Sequence, residues 1–280
     1  MTLPVLLVRP DGNDADRRAL VAAGITVMVD PYLQVVRARD EAPAAHLLRR
    51  LAAAGAGDWL MLTSPRALAA WGTLVAPAGL TGAVAAARLR GMRVAAVGAA
   101  TAASVRPPAD LVGTSGAAAL VDELRLLPPG GILFPHGRLA AASSADSLAA
   151  DGWTVTAAVV YDTVPVAERP PSAAALSAGR VAAVLLRSAS AVAAIARWAD
   201  VPAGVQVIAV GPGPAAAARA QGWDVVGLPL SGAAGVAEAV RAILRRTDAL
   251  VVGPAGSESP DPGTIRPLSL IHISEPTRPY

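Results

Sequence analysis

The chemically capable side chains of this 280-residue chain fall in a few short segments, each placed where an apolar run gives way to a turn. TSPRA (63–67) offers Ser64 as a helix N-cap and Pro65 as the first helical residue, while Arg66 and the free N–H groups of that terminus could hold a carboxylate. VGAATA (97–102) repeats the arrangement with Gly98 and Thr101, whose hydroxyl either caps the helix or faces a ligand. FPHGR (134–138) ends another apolar run: Gly137 permits close backbone approach, Arg138 can bind a carboxylate bidentately, and His136 is either a proton donor or a turn residue bonded to backbone. RSASA (187–191) contributes Ser188 and Ser190, and VGPGP (210–214) contributes Gly211. Tyr161 in VVYDTVP (159–165) is the remaining candidate. A phenol exposed to a cleft carries a proton at neutral pH that it can donate to a departing hydroxyl, although an aromatic at a junction can equally serve packing. The chemistry within reach is therefore anion binding at helix N-termini with one proton donor.

What the chain lacks narrows this further. It has no cysteine and no lysine, all 24 basic residues being arginine, so thiol nucleophiles, thiolate metal sites, Schiff bases and a phosphate-binding Walker lysine are excluded. Of three histidines, His46 lies on a helix away from these segments and His272 lies in an atypical tail, and no HExxH or GxSxG pattern occurs. No metal and no cofactor is expected. The net charge of +3 comes without the basic run that nucleic acid or an anionic membrane would demand. No apolar run reaches the roughly 20 residues of a membrane span, and residues 2–8 lack the basic start and cleavage site of a signal peptide. A soluble cytoplasmic protein is expected.

The elements that must position these residues show an internal repeat. VAAVGAATAASV (94–105) and VIAVGPGPAAAARA (207–220) each read as a buried strand, a glycine turn and an alanine-rich helix. Each follows a related strand-turn-helix, WLMLTSPRALAAW (59–71) and VAAVLLRSASAVAAIARW (181–198). The opening residues 4–29 read as β-α-β, and strands alternate with helices to residue 245. The expected fold class is α/β: two Rossmann-like parallel-sheet lobes joined by two extended connectors, with a ligand cleft between them. Residues 1–32 with 166–248 would form one discontinuous lobe and 37–160 the inserted one, with connectors 31–36 and 159–166 side by side.

Residues 249–267, of which 253–267 are rich in Gly, Pro, Ser and Asp, read as a disordered linker or the start of a lost segment. The following LSLIHISEPTR (268–278) back-translates to a transposase adapter used in sequencing libraries, so residues 268–280 are expected to be adapter read-through rather than protein sequence.

In order, LTSPRAL, AVGAATA, ILFPHGR, VVYDTV, LLRSASAV and VIAVGPGPAAAARAQG resemble the uroporphyrinogen-III synthase family along nearly the whole chain up to the linker. The resemblance implies a cytoplasmic, monomeric, cofactor-free lyase of porphyrin and heme biosynthesis. Its substrate would be the linear tetrapyrrole hydroxymethylbilane, which loses its hydroxyl, inverts ring D through a spiro intermediate and closes to uroporphyrinogen III. It also implies that Tyr161 assists hydroxyl loss, that Ser64 and Thr101 face the cleft from the inserted lobe, and that Ser188, Ser190 and Gly211 lie on turns of the other. Where the family often has threonine in the second turn, this chain has Pro214, which removes a hydroxyl and a backbone donor. Two other readings share the hinge and cleft: a non-enzymatic two-lobed protein binding an anionic ligand, and the sensor part of a transcriptional regulator truncated at the adapter junction.

Overall fold

A computed structural model describes residues 2–113, 116–140, 142–229 and 232–251. The linker and adapter expectations for residues beyond 251 lie outside the described residues. Near-continuous apolar runs form the central strands, as sheets covered on both faces require. β1 (Val5–Leu7), β2 (Val27–Val29), β9 (Ala183–Leu186), β10 (Gln206–Val210) and β11 (Val225–Leu228) make a five-stranded parallel sheet in the order β11-β10-β9-β1-β2. β3 (Leu33–Arg37), β4 (Trp59–Leu62), β5 (Arg93–Val97), β6 (Leu111–Gly113), β7 (Gly131–Gly137) and β8 (Thr154–Pro165) make a second sheet in the order β3-β8-β7-β4-β5-β6.

Alternation along the strands divides each sheet between two cores. Leu6, Val184 and Leu186 face one side of the first sheet, with Val5, Leu7 and Leu185 on the other. Leu60 and Leu62 face one side of the second, with Trp59 and Met61 on the other. The helices α1 (Asp14–Ala22), α8 (Ala173–Ser177), α9 (Ala189–Ala196), α10 (Pro212–Ala220) and α11 (Ala233–Val251) belong to the first sheet. The second carries α2 (Ala42–Ala53), α3 (Arg66–Val75), α4 (Pro77–Leu89), α5 (Gly98–Ala102), α6 (Ala117–Arg125) and α7 (Ala142–Ala150). In α2, Ala44, Leu47 and Leu51 recur at helical spacing and are buried, while Arg49 and Arg50 are exposed. Trp71 of α3 is fully buried and ties the two helices together by donating Nε1–H to the carbonyl of Ala44 at 3.0 Å. Among the described residues, no single helix is long and apolar enough to cross a membrane.

The connectors are more tightly built than the sequence suggests. β3 and the last part of β8 pair antiparallel, from Leu33 opposite Pro165 to Arg37 opposite Tyr161, so the second sheet is mixed and the connectors are its edge. At the far end the ribbon is anchored to the first sheet: Tyr32 N–H donates to Val8 O at 3.1 Å, and its buried hydroxyl meets Ser172 Oγ at 3.1 Å. Two elements escape the sequence reading, α4 and β6. Proline and two glycines in residues 77–89 hide α4, although Leu80, Val84 and Ala87 are buried at helical spacing. α11 also continues to Val251, past the residue at which the lobe was expected to end.

Candidate active site

Each sheet has one point where the strand order reverses. In the first, β1 leads to β2 on one side while β9, β10 and β11 extend to the other; in the second, β4 leads to β5 and β6 while β7 and β8 lie opposite. A crevice opens at the carboxyl ends of strands at such a point, because successive loops diverge to opposite faces. Arg9–Asn13 follow β1, and Arg187–Ser190 follow β9 into the first turn of α9; Thr63–Arg66 follow β4 to the first residue of α3, and a 3-10 turn, Arg138–Ala140, follows β7. Most of the candidate side chains therefore sit at switch points.

Tyr161, Thr163, Gly137, Arg138 and Leu139 from the second sheet and Ser190 from the first line a cavity of about 130 Å³. A bulge sets this geometry. His136 pairs with Val159, but Gly137 pairs with Tyr161, so β8 gains one residue and the tyrosine ring is turned across the glycine. A Cβ built on Gly137 would lie 2.6 Å from Tyr161 Cζ, 2.7 Å from Cε2 and 2.9 Å from the hydroxyl oxygen. Gly137 is thus the seat of Tyr161, a closer constraint than backbone approach to a ligand. Arg138 donates through Nε to Asp162 Oδ2 at 2.8 Å, and Asp162 Oδ1 accepts from Thr163 N–H at 2.8 Å.

His136 is buried, 4.8 Å from the Phe134 ring between centroids, and its Nδ1–H donates to Gly137 O at 3.0 Å. Burial pushes its pKa down, and the bond to Gly137 offsets this only in part. The imidazole is therefore neutral at pH 7 and matches the backbone-bonded reading better than the proton donor.

The remaining candidates occupy flanking positions. Ser64 Oγ accepts from Arg66 N–H at 3.2 Å, and Pro65 has helical dihedrals of −62° and −19°, so the serine caps α3 as expected. Arg66 pairs with Asp11 of the other sheet. Gly98 takes φ +72° at the start of α5, a conformation glycine adopts without a Cβ clash. Thr101 is buried inside that helix and does not cap it, because α5 begins three residues earlier than the hydroxyl pattern suggests. Ser188 Oγ meets Ser190 Oγ at 3.1 Å and makes no cap bond to α9. Gly211 has φ +96°, and its N–H is already given to Leu228 O at 2.8 Å, leaving it a turn-forming role. Pro214 falls in the first turn of α10, where a missing N–H costs the helix nothing.

The sequence reading missed Thr163, Asp11 and Arg9. Thr163 was recoverable from strand period, two residues beyond Tyr161 on the same face; Asp11 and Arg9 depend on which strands are neighbours. Among the described residues, no group of three His, Asp or Glu side chains is gathered to hold a metal ion.

Comparison with known proteins places this architecture. A crystallised mutant uroporphyrinogen III synthase from the extremely thermophilic bacterium Thermus thermophilus shares the fold at a TM-score of 0.56 and 20% identity, covering 88% of this chain and all of that one. The uroporphyrinogen-III synthetase of Helicobacter pylori 26695 matches at a TM-score of 0.56 and 15% identity, over 86% of this chain and 99% of that one. A search of curated protein sequences finds no significant match. The family model described as uroporphyrinogen-III synthase HemD matches residues 14–231, a span that takes in the whole second sheet, the first sheet apart from β1 and its following loop, and the Tyr161 cavity. On that match the chain belongs to the uroporphyrinogen-III synthase family.

Proposed function

We propose that the chain converts hydroxymethylbilane to uroporphyrinogen III in the cleft between its sheets, with Tyr161 donating the proton with which the substrate hydroxyl leaves as water. The observation that carries this reading is the cavity shared by Tyr161, Gly137 and Arg138 of one sheet and Ser190 of the other, within a chain of this family. The departing hydroxyl needs a proton, and Tyr161 supplies one from a fixed position on Gly137. Ring D then attacks through its substituted carbon, and the spiro intermediate reopens and closes as the type III isomer. A substrate with eight carboxylates can be held by backbone N–H groups at the starts of helices near Ser64, Gly98 and Ser188, with Thr101 packed inside the helix that Gly98 opens, Arg66 and Arg138 assisting and Gly211 shaping its turn. Holding the bilane in one conformation selects the attacking carbon, which is the main work the protein must do. His136 acts through packing, keeping Gly137 under the tyrosine.

On this reading residues 1–32 with 166–248 and residues 37–160 are the two lobes, hinged on the β3–β8 ribbon, and the enzyme works as a cytoplasmic monomer. Hydroxymethylbilane incubated with the folded protein should yield mostly uroporphyrinogen III, whereas buffer alone yields mostly the type I isomer by direct closure. A binding protein or sensor would hold the linear tetrapyrrole without redirecting its closure. An isomer ratio equal to that in buffer would refute the assignment.

A further inference from the structure

Among the described residues, an ion pair bridges the two switch points. Arg66, opening α3 after β4, donates through Nε to Asp11 Oδ2 at 2.7 Å and through Nη2 to Asp11 Oδ1, a bidentate guanidinium–carboxylate geometry spanning 55 residues. Asp11 belongs to the loop after β1, so each partner comes from a different sheet. The pair is open to solutes: the side chains retain 26% exposure for Arg66 and 52% for Asp11.

Its surroundings are cationic. Arg187, after β9, is engaged bidentately by the buried Asp16, at 2.7 and 2.6 Å. Arg9, at the end of β1, is partly buried and donates Nη1–H to Gly12 O at 3.3 Å, and no described ion pair joins it to a carboxylate. Burial, followed by the positive charge of Arg66, holds the Arg9 pKa below the ordinary arginine value. Among the described ion pairs, the carboxylates of Asp11 and Asp16 stand against the three guanidiniums of Arg9, Arg66 and Arg187, and that of Asp11 is exposed and exchangeable.

We propose that Arg66, with Arg9 beside it, is a seat for a side-arm carboxylate of the substrate, and that Asp11 occupies this seat as an internal carboxylate which the substrate displaces. This rests on the reading of the ligand as a polycarboxylate tetrapyrrole. The exchange moves no proton: one carboxylate–guanidinium contact breaks and an equivalent one forms. Asp11, already half exposed, regains water at little cost, and the surplus charge of Arg9 tilts the exchange toward the ligand. The pair also links binding to both sheets, because the displaced contact joins the loop after β1 to the start of α3.

The test is steady-state turnover of hydroxymethylbilane by the full chain and by Asp11→Asn, Asp11→Ala, Arg66→Gln and Arg9→Gln, with isomer analysis and melting temperatures for each. Removing an internal competitor should lower KM by about threefold in both Asp11 variants, the scale of an exposed ion pair. Removing a ligand-binding cation should raise KM by about tenfold in Arg9→Gln and Arg66→Gln, the scale of one charged hydrogen bond, with kcat little changed. A simple clamp between the sheets predicts the opposite pattern, Asp11 and Arg66 variants shifting KM in the same direction. A KM in the Asp11 variants equal to or above that of the parent, or an unchanged KM in Arg9→Gln, overturns the proposal while the parent still forms type III product. Failure of the parent itself to form type III product overturns the underlying functional reading instead.

Discussion

Gly137→Ala adds a single methyl group, and the structure specifies where it goes. The new Cβ would stand 2.6 Å from Tyr161 Cζ and 2.7 Å from Cε2, against the roughly 3.5–4.0 Å of an unstrained carbon contact. Relief requires the ring to move by about 1 Å, since the bulge that aligns Gly137 with Tyr161 holds both backbones in the sheet. Overpacking of this kind costs about 1–3 kcal/mol of stability. A displacement of about 1 Å at a reacting group costs on the order of 10² in rate. Formation of uroporphyrinogen III measured at saturating substrate, alongside urea unfolding, separates the two effects. Combining the change with Tyr161→Phe isolates the cause: if Gly137 acts by placing the phenol, the two losses in kcat are far from additive. Full kcat in Gly137→Ala with unaltered unfolding, or strict additivity with Tyr161→Phe, would refute the idea that Gly137 is the seat of the tyrosine.

Tyr161→Phe alone should lower kcat by about 10²-fold, the range of general-acid contributions, with the melting temperature preserved; undiminished turnover would leave the tyrosine a packing role. His136 has a folded pKa below its unfolded value of about 6.5 because of burial, so below that pH the unfolded chain takes up a proton that the folded chain refuses. Stability should therefore fall as the pH drops from 7 toward 5, and His136→Gln should remove part of that slope in urea titrations at each pH; an identical slope would contradict the neutral, buried imidazole. Trp71→Ala should cost about 3–5 kcal/mol in urea unfolding, since a fully buried indole and its bond to Ala44 O are lost together; a cost below about 1 kcal/mol, well under that range, would mean that α2 and α3 are held otherwise.

Local signals carried a good deal of this molecule. Strand runs such as WLML and AVLL are apolar throughout because both faces of a parallel sheet are covered, and they were legible as buried strands for that reason. Gly98 and Gly211 were legible as turns because positive φ disfavours any side chain. Ser64 was legible as a cap because its hydroxyl satisfies a donor within two residues. The signal failed where local preference and tertiary packing disagree. The Pro- and Gly-bearing α4 is a helix because Leu80 and Val84 are buried against the second sheet's core, and Thr101 lies within α5 because that helix starts at a glycine.

The sequence by itself determined the α/β class, the repeated strand-turn-helix units and the residue types available for chemistry, since periodicity, turn propensity and composition act over a few neighbouring residues. Tertiary structure alone decided which loops meet. Strand order puts β1 beside β9 and β4 beside β7, and only that order brings Asp11 to Arg66 and places two switch points at one cleft. A one-residue bulge, set by the fit of β7 against β8, decided that Tyr161 rests on Gly137. Pairings between strands distant in sequence are chosen by the burial of whole faces, a sum over many contacts that no short segment encodes.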